Sequence, residues 1–318
     1  MQRDGARHSS NPTMMLSTIR RVVIALGFGP QKMQQDIPHI FTGDRWTPRS
    51  YSTTAFPATP LHFTTWNIDF CRPFPDLRLR AILDRLPVPT GPSILLLQEL
   101  DDTALPVLLS HPLIRAHFTV ITNTPGSYTT ATLLSHSIPV CAVQRVEYPD
   151  SCMSRDCLAV DIPVPGGVLR IANTHLESLP NFSKQRAAQM EIMGDVCKEE
   201  GVVAAVCGGD MNAIRESDEG LPGRCGLGDV WEMQQEERGE ERETEVGMTW
   251  GYQPRCKFPV GRLDKVLYRG KVKFLKDEEG RYIKTVGAGW KYEIGEGETW
   301  DSEWVSDHYG LEVDFCVE

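Results

Sequence analysis

The sequence has no excess of positive charge, no long apolar run and no paired-cysteine motif, and each absence disfavours a class of protein. The net charge is −10, which argues against a protein that coats nucleic acid non-specifically. The longest apolar run near the start, residues 22–28, is too short to span a bilayer. None of the nine cysteines forms a Cys-x-x-Cys pair, so the thiols indicate a reducing compartment rather than a zinc site.

The composition is that of a globular chain with an adequate core. Hydrophobic residues make up 41% and charged residues 24% of 318 residues, enough for one large domain or two ordinary ones. Because no repeat or composition break divides the chain after residue 35, we expect a single domain over residues 36–318. Residues 232–245 hold seven Glu and two Arg without an apolar period, and we predict a solvated loop there.

The beginning of the chain differs from the rest. Residues 1–35 carry five Lys or Arg against one acid, which is typical of a disordered leader; a mitochondrial targeting segment is the alternative. Residues 38–60 are rich in Pro, Ser and Thr and predict an irregular lead-in. Phe41 and Trp46 are the side chains that would fix this lead-in to the domain.

Alternating and apolar patterns predict many short strands and a few helices. Strands are expected at 61–68, 93–97, 118–121, 130–134, 140–146, 158–164, 168–173, 202–206, 262–268, 272–275 and 311–317, and helices at 77–86, 102–109 and 183–200. Many hairpins with interspersed helices favour an α/β fold of two packed sheets flanked by helices.

Six groups of polar side chains stand at the ends of apolar or β-branched segments, where α/β proteins place their chemistry. The groups are Asn67 and Asp69, Gln98 and Glu99, Asn173 and His175, Asp210 and Asn212, Arg262 and Asp264, and Ser306 to His308. The chain is organised around Gly208-Gly209-Asp210-Met211-Asn212, where we expect the glycines to release the chain from a strand into a loop. A carboxylate and an amide held there can orient one water molecule.

Two of the carboxylates predict a metal site. Asp69 and Glu99 stand without Cys or His at ligand spacing, which suits a hard cation with oxygen ligands. Mg²⁺ is the natural candidate, and the residues leave Ca²⁺ and Mn²⁺ open. Such an ion would neutralise charge that develops on a phosphodiester.

The remaining groups suggest hydrolysis. Asp210 would hold and deprotonate the attacking water, and Asn212 would orient it. His308 would donate to a phosphate oxygen, with Asp264 as the carboxylate that favours its cation and Asp307 as the alternative. His175 would be a second phosphate donor.

From Pro60 to the C-terminus, the ordered set of motifs resembles the endonuclease/exonuclease/phosphatase superfamily, and within it the 5′-tyrosyl-DNA phosphodiesterases. This resemblance implies a four-layered α/β sandwich and a Mg²⁺-dependent, monomeric enzyme that repairs trapped topoisomerase adducts on DNA. It also implies a nuclear location, with mitochondrion or cytoplasm as alternatives, and no membrane. By the same resemblance Asn67 belongs to the catalytic group. The residues that would contact the substrate are Tyr128, Arg155, Leu176, Glu177, Ser178, Trp250, Leu263 and Asp307.

Other functions fit the same motifs. The superfamily also includes abasic-site endonucleases, RNA 3′ exonucleases and phosphoinositide phosphatases, and a shared fold does not name the substrate. A non-catalytic binding module that keeps the fold is the alternative from another class. The presence of every expected catalytic residue disfavours that alternative.

Overall fold

The structure, a computed structural model, describes residues 36–123, 128–239, 247–296 and 299–318. Its strands are β1 His39–Thr42, β2 Arg45–Pro48, β3 Leu61–Asn67, β4 Ser93–Leu100, β5 Phe118–Thr122, β6 Thr129–Ser135, β7 Ala142–Glu147, β8 Asp156–Val164, β9 Gly167–His175, β10 Val202–Asp210, β11 Gly228–Asp229, β12 Asp264–Gly270, β13 Val272–Leu275, β14 Ile283–Val286, β15 Lys291–Glu296, β16 Thr299–Trp304 and β17 Gly310–Val317. Its helices are α1 Pro75–Leu83, α2 Ala104–Ser110, α3 Pro112–His117, α4 Ser183–Val196, α5 Glu216–Glu219, α6 Leu221–Arg224 and α7 Val230–Arg238. The leader expected over residues 1–35 lies outside the described residues.

The described strands form two large sheets and a separate hairpin of β15 and β16. One sheet has the order β13-β17-β3-β4-β6-β5-β1-β2, with β14 also paired to β17, and the other has the order β11-β12-β10-β9-β8-β7. The pairs β3–β4 and β9–β10 are parallel. The other described pairs are antiparallel, which confirms the prediction of an α/β fold with mainly antiparallel sheets.

The hydrophobic core lies between the two sheets. Phe63 and Leu96 of the first sheet and Leu158 and Val206 of the second belong to one buried cluster. Strand residues alternate between faces, so a second cluster forms on the far side of the second sheet, where Met193 of α4 packs with the sheet. On the far side of the first sheet, buried side chains of α1 and α2 complete the layers. The layers therefore run helix, sheet, sheet, helix.

The strand register brings the ends of the sheets to one edge. Asn67 pairs with Gln98, and Asp210 pairs with both His175 and Asp264. Gly209 makes this possible, because a Cβ there would lie 1.8 Å from the Thr174 carbonyl oxygen. The expectation that the glycines start a loop is wrong: both lie inside β10, and Asp210 is its last residue.

The lead-in is more ordered than its composition predicts. β1 and β2 form an antiparallel hairpin that joins the edge of the first sheet through β5, so the prediction of an irregular segment is wrong for residues 39–48. Trp46 is buried and its indole nitrogen donates to the Leu109 carbonyl at 3.0 Å. The prediction that Trp46 fixes this segment to the domain is confirmed.

The Glu-rich segment also departs from its prediction. Residues 230–238 form α7 rather than a loop, while residues 240–246 lie outside the described residues. Asp229 caps the helix by accepting from the Trp231 amide, and Glu and Gln are good helix formers. Gln234 is buried and accepts from the amides of Tyr282 and Ile283. Gln234 and Gln235 are both buried in this helix. Because its buried positions include glutamines, the helix shows no apolar period, and the sequence pattern did not indicate it.

None of the helices in the described part of the chain is long and apolar enough to cross a membrane. The nine cysteines are free thiols. Cys197 and Cys207 lie side by side in the core with their sulfurs 3.3 Å apart.

A histidine on the outer side of the first sheet makes stability depend on pH. His62 Nδ1 lies 2.8 Å from Asp314 Oδ1, and Nε2 lies 3.8 Å from Glu312 Oε1. The two carboxylates raise the pKa of His62 from 6.5 to about 9. A raised folded-state pKa stabilises the fold fully below pH 6.5, and this stabilisation is lost as pH rises through about 9.

His62→Gln should therefore lower the free energy of unfolding at pH 6 and leave it nearly unchanged at pH 10. The pair is partly exposed, so solvent screening should keep the difference at pH 6 to about 1 kcal/mol or less. Urea denaturation at both pH values measures it, with Asp314→Asn as the matched variant. An equal loss at both pH values would contradict the assignment.

Candidate active site

Side chains from both sheets converge at the edge where the strands end. Asn67, at the end of β3, donates from Nδ2 to Glu99 Oε1 and to Asp210 Oδ2, each at 3.1 Å. Its Oδ1 accepts from the Asp69 amide at 2.9 Å. One amide side chain therefore links the carboxylates of the two sheets, which fits its expected place in the catalytic group.

Asp210 is at the centre of this cluster. Oδ2 lies 3.3 Å from His175 Nε2 and 3.8 Å from His308 Nε2, and Oδ1 accepts from the Asn212 amide at 2.8 Å. Burial alone would raise the pKa of Asp210, but the nearby His308 and His175 hold it well below its usual range. The carboxylate is therefore ionised and acts as an acceptor.

His308 is held as a cation. Its Nδ1 lies 2.7 Å from Asp264 Oδ2, and its Nε2 lies 3.7 Å from Asp307 Oδ1. Burial disfavours the charge, but the carboxylates of Asp264, Asp307 and Asp210 together raise the pKa of His308 well above 6.5. Asp264, rather than Asp307, is thus the partner on Nδ1, and Nε2 is left to face the cluster as a proton donor.

His175 is held in the opposite state. Arg155 Nη1 donates to its Nδ1, so the ring proton must be on Nε2, the nitrogen that faces Asp210. Burial and the Arg155 charge lower the pKa of His175 to about 4. His175 is therefore a neutral donor near neutral pH, in contrast to the cationic His308.

Glu99 provides the strongest indication of a cation site. Burial raises its pKa to about 7, although Oε2 accepts from the Phe70 amide at 2.9 Å. Ligand atoms of Glu99, His175 and Asp210 lie within 4.8 Å of one another. Glu99 is largely buried and Asp210 is buried, and their carboxylate oxygens are ligands that fit a hard divalent ion. The residues present therefore suit such an ion.

Asp69 has different partners. Its Oδ2 lies 3.2 Å from Arg72 Nε and 4.0 Å from Arg78, and its Oδ1 accepts from the Cys71 amide. Asp69 is thus the carboxylate of a tight turn, and it is not in either group of described side chains that could together hold a metal ion. Its expected role as a metal ligand stays a prediction.

Aromatic and cationic side chains flank the cluster. The Arg155 guanidinium lies over the Tyr128 ring at 4.8 Å, beside His175. On another side, the Trp250 indole donates to Asp307 Oδ2 at 2.9 Å. An exposed aromatic, Phe258, lies near Trp250 with ring centroids 6.4 Å apart. Planar groups therefore stand beside the polar cluster, and a base or an aromatic ring could pack against them.

Several residues expected to contact substrate are buried or bonded within the protein. The side chains of Leu176 and Glu177 are fully buried and Leu176 belongs to the core, so their contact with substrate stays a prediction. Ser178 is half-buried and accepts from Arg155 at 2.8 Å. Leu263 is almost buried, and its contact with substrate stays a prediction. The Asn212 amide group donates to the Leu176 carbonyl at 3.0 Å, which limits its freedom to orient water.

Three residues to which the sequence assigned no role support the site. Gln98 donates to Asn173 Oδ1 at 2.9 Å and so bridges the two sheets. Arg78, buried in α1, donates to the carbonyls of Ile68 and Val305 at 2.6 and 3.2 Å, joining the two loops of the site. Gln98 and Asn173 belong to the polar groups that the sequence pattern indicated, and the structure shows that they hold the two sheets together. For Arg78 the sequence offered only a weak indication of burial, because it lies four residues before Ile82 on the same face of the helix.

The sequence model of the Endonuclease/Exonuclease/phosphatase family matches residues 64–308, most of the chain. The chain belongs to this family. The matched residues include the converging side chains described above, from Asn67 to His308.

Named relatives resemble the chain in sequence, and solved structures resemble it in fold. Tyrosyl-DNA phosphodiesterase 2 of Xenopus tropicalis is 26% identical over 265 residues, which are 80% of this chain and 66% of the relative. A truncated TDP2 of Caenorhabditis elegans superposes with a TM-score of 0.60 at 22% identity, covering 81% of this chain and 98% of that one. TDP2 of D. rerio, in complex with single-strand DNA product, gives 0.58 at 20% identity, covering 81% and 99%. The two structures confirm the four-layered fold.

The charge of His308 should depend on Asp264. In Asp264→Asn the pKa of His308 should fall, because the carboxylate at 2.7 Å is lost while Asp307 remains at 3.7 Å. NMR titration of the imidazole resonances in metal-free protein measures the shift. His62, which pairs with other carboxylates, serves as the internal control, and an unchanged His308 titration would contradict the assignment.

Proposed function

We propose that the protein is a Mg²⁺-dependent phosphodiesterase that hydrolyses the bond between a tyrosine and the 5′ phosphate of DNA. The observation that carries the proposal is the arrangement around Asp210. An ionised carboxylate faces one neutral and one cationic imidazole at 3.3 and 3.8 Å, with a stacked Arg155–Tyr128 pair on one side. The relatives named tyrosyl-DNA phosphodiesterase 2 support the substrate.

The residues can divide the work of hydrolysis. Asp210 accepts a hydrogen bond from the attacking water; because its pKa is low it is a weak base, so orientation is its main task. His308 and His175 donate from Nε2 to phosphate oxygens as negative charge grows. Phosphoryl transfer passes through a loose transition state, in which positioning and charge stabilisation matter most.

The leaving group suits this site. A tyrosine phenol has a pKa of about 10, so its oxygen can depart without a dedicated general acid. The Arg155–Tyr128 pair offers a planar, positively charged face beside the phosphate site, against which a departing aromatic ring can pack. Trp250 offers a face for the terminal base, and the products would be tyrosine and a 5′-phosphate.

Glu99 and Asp210, with Asp69 as the proposed further ligand, would hold the divalent ion. When bound, the ion supplies positive charge to the phosphate and the leaving oxygen. Mg²⁺ fits because the available ligands are carboxylate oxygens, and Mn²⁺ is the expected substitute.

We also propose that the enzyme is a monomer that acts on DNA in the nucleus, with mitochondrion or cytoplasm as alternatives. A single-stranded 5′ end is the form of DNA that can reach the site, and the D. rerio TDP2 complex with single-strand DNA product supports this. A fusion of residues 1–35 to a reporter separates a mitochondrial targeting segment from a plain leader.

Activity should require a divalent cation. Chelation by EDTA should abolish turnover, and Glu99→Gln should need far more Mg²⁺ for half-maximal rate, because the substitution removes a buried carboxylate that fits the ion. Rate measured against Mg²⁺ concentration tests both. Full activity in EDTA would show that no metal takes part.

Two substitutions should separate chemistry from binding. Asp210→Asn should remove turnover while leaving the affinity for a 5′-phosphotyrosyl oligonucleotide nearly intact. Trp250→Ala should weaken binding by roughly 1–3 kcal/mol, the scale of base–aromatic stacking. Single-turnover kinetics and fluorescence anisotropy measure these effects, with a 3′-phosphotyrosyl oligonucleotide as the control. Equal cleavage of both ends by the wild type would contradict the proposed polarity.

A further inference from the structure

Glu177 is a fully buried carboxylate that takes no direct part in the proposed chemistry. Its Oε2 accepts from Ser151 Oγ at 2.8 Å and from Gln189 Nε2 at 2.9 Å, and its Oε1 accepts from the Cys152 amide at 2.8 Å. Every described hydrogen-bond donor to the carboxylate is a neutral group. A carboxylate buried in this way lowers the stability of the fold unless its hydrogen bonds are well placed. We therefore look for its role in the groups that these hydrogen bonds keep in position.

The bonds hold the loop that carries Arg155. Ser151 Oγ, which donates to Glu177, also accepts from the Arg155 amide at 2.8 Å and from the Met153 amide at 3.2 Å. The Met153 carbonyl accepts from the Tyr128 hydroxyl at 3.1 Å. The carboxylate thus fixes a turn whose backbone positions both members of the Arg155–Tyr128 pair.

The hydrogen bonds from Glu177 through Ser151 to Arg155 form a relay, and the Arg155 guanidinium at its end contacts the catalytic group. Arg155 donates to His175 Nδ1 and to Ser178 Oγ. The first bond sets the tautomer of His175, and the stacking on Tyr128 sets the face beside the phosphate. A small displacement of residues 151–155 would change both.

We infer that Glu177 is a positioning residue, which acts through Ser151 to hold Arg155 and Tyr128 against His175 and the tyrosine side of the substrate. The inference rests on the proposed function. It assigns to Glu177 an indirect role, in place of the substrate contact that the family resemblance implies.

The test uses two variants of the relay and one matched control. Glu177→Gln keeps the size of the side chain but places an amide NH2 group where a hydrogen-bond acceptor is needed. Ser151→Ala removes only the hydroxyl that links Glu177 to the Arg155 amide. Asp161→Asn is the control, because Asp161 is another buried carboxylate on the strand that follows Arg155, paired with Arg170 at 2.7 Å and outside the site. The kcat/KM of each is measured with 5′-phosphotyrosyl DNA and with the p-nitrophenyl ester of thymidine 5′-phosphate.

Both relay variants should lower kcat/KM by roughly 10- to 100-fold, the range for residues that orient others, while Asp161→Asn should not. Glu177→Gln combined with Arg155→Ala should lose clearly less than the product of the two single losses, because Glu177 acts in large part through Arg155. Losses that multiply in the double variant, or wild-type rates in Ser151→Ala, would overturn the inference. If Glu177→Gln fails to fold, Ser151→Ala carries the test.

Hydrogen–deuterium exchange separates this inference from the proposed function. The amides of residues 152–155 should exchange faster in Ser151→Ala than in the wild type or in Asp161→Asn. Failure of the wild type to cleave either substrate would reject the proposed function. Unchanged exchange in residues 152–155 would reject the positioning role independently of any activity.

Discussion

The structure of the site depends on one buried anion, Asp210, and on the charges that make its burial tolerable. A carboxylate in this position needs compensating partners. His308 supplies a cation, which Asp264 in turn maintains, and Asn67 and His175 supply neutral donors. Two imidazoles of one cluster are thereby held in different protonation states by their second nitrogens, one against Asp264 and the other against Arg155.

The backbone makes this grouping possible through strand register. Asp210, His175 and Asp264 are in line across three neighbouring strands. The sequence predicted most of this, because His175 and Asp210 each follow an apolar run and parallel strands end at a common edge, where the antiparallel β12 begins at Asp264. Position 209 admits only glycine, because a Cβ there would meet the Thr174 carbonyl oxygen, whereas the local sequence predicts the start of a loop. The sequence pattern therefore predicted which residues form the site, but it did not predict the close strand pairing at Gly209 that sets their spacing.

Features that depend on distant contacts could not be predicted from local pattern. α7 forms because Asp229 caps it and because Gln234 reaches the backbone of Tyr282 and Ile283, neither of which is visible in its charge run. Arg78 can be buried because backbone carbonyls accept its hydrogen bonds, whereas arginine side chains usually lie at the protein surface. The resemblance identified Glu177 as a substrate contact, whereas its carboxylate accepts hydrogen bonds from Ser151, Cys152 and Gln189. Gln234 and Arg78 share one trait: each buried polar side chain has a hydrogen-bond partner far along the chain.

The cluster around Asp210 is proposed to hydrolyse a 5′-phosphotyrosyl bond rather than another phosphoester of the superfamily. A competition experiment separates these substrates, with 5′-phosphotyrosyl DNA, abasic duplex DNA, poly(A) RNA and a phosphoinositide mixed at equal concentration with Mg²⁺ and purified protein. We expect 5′-phosphotyrosyl DNA to be consumed first, and tyrosine and a 5′-phosphate to appear together. Consumption of the abasic duplex, the RNA or the phosphoinositide while the phosphotyrosyl DNA stays intact would contradict the proposal.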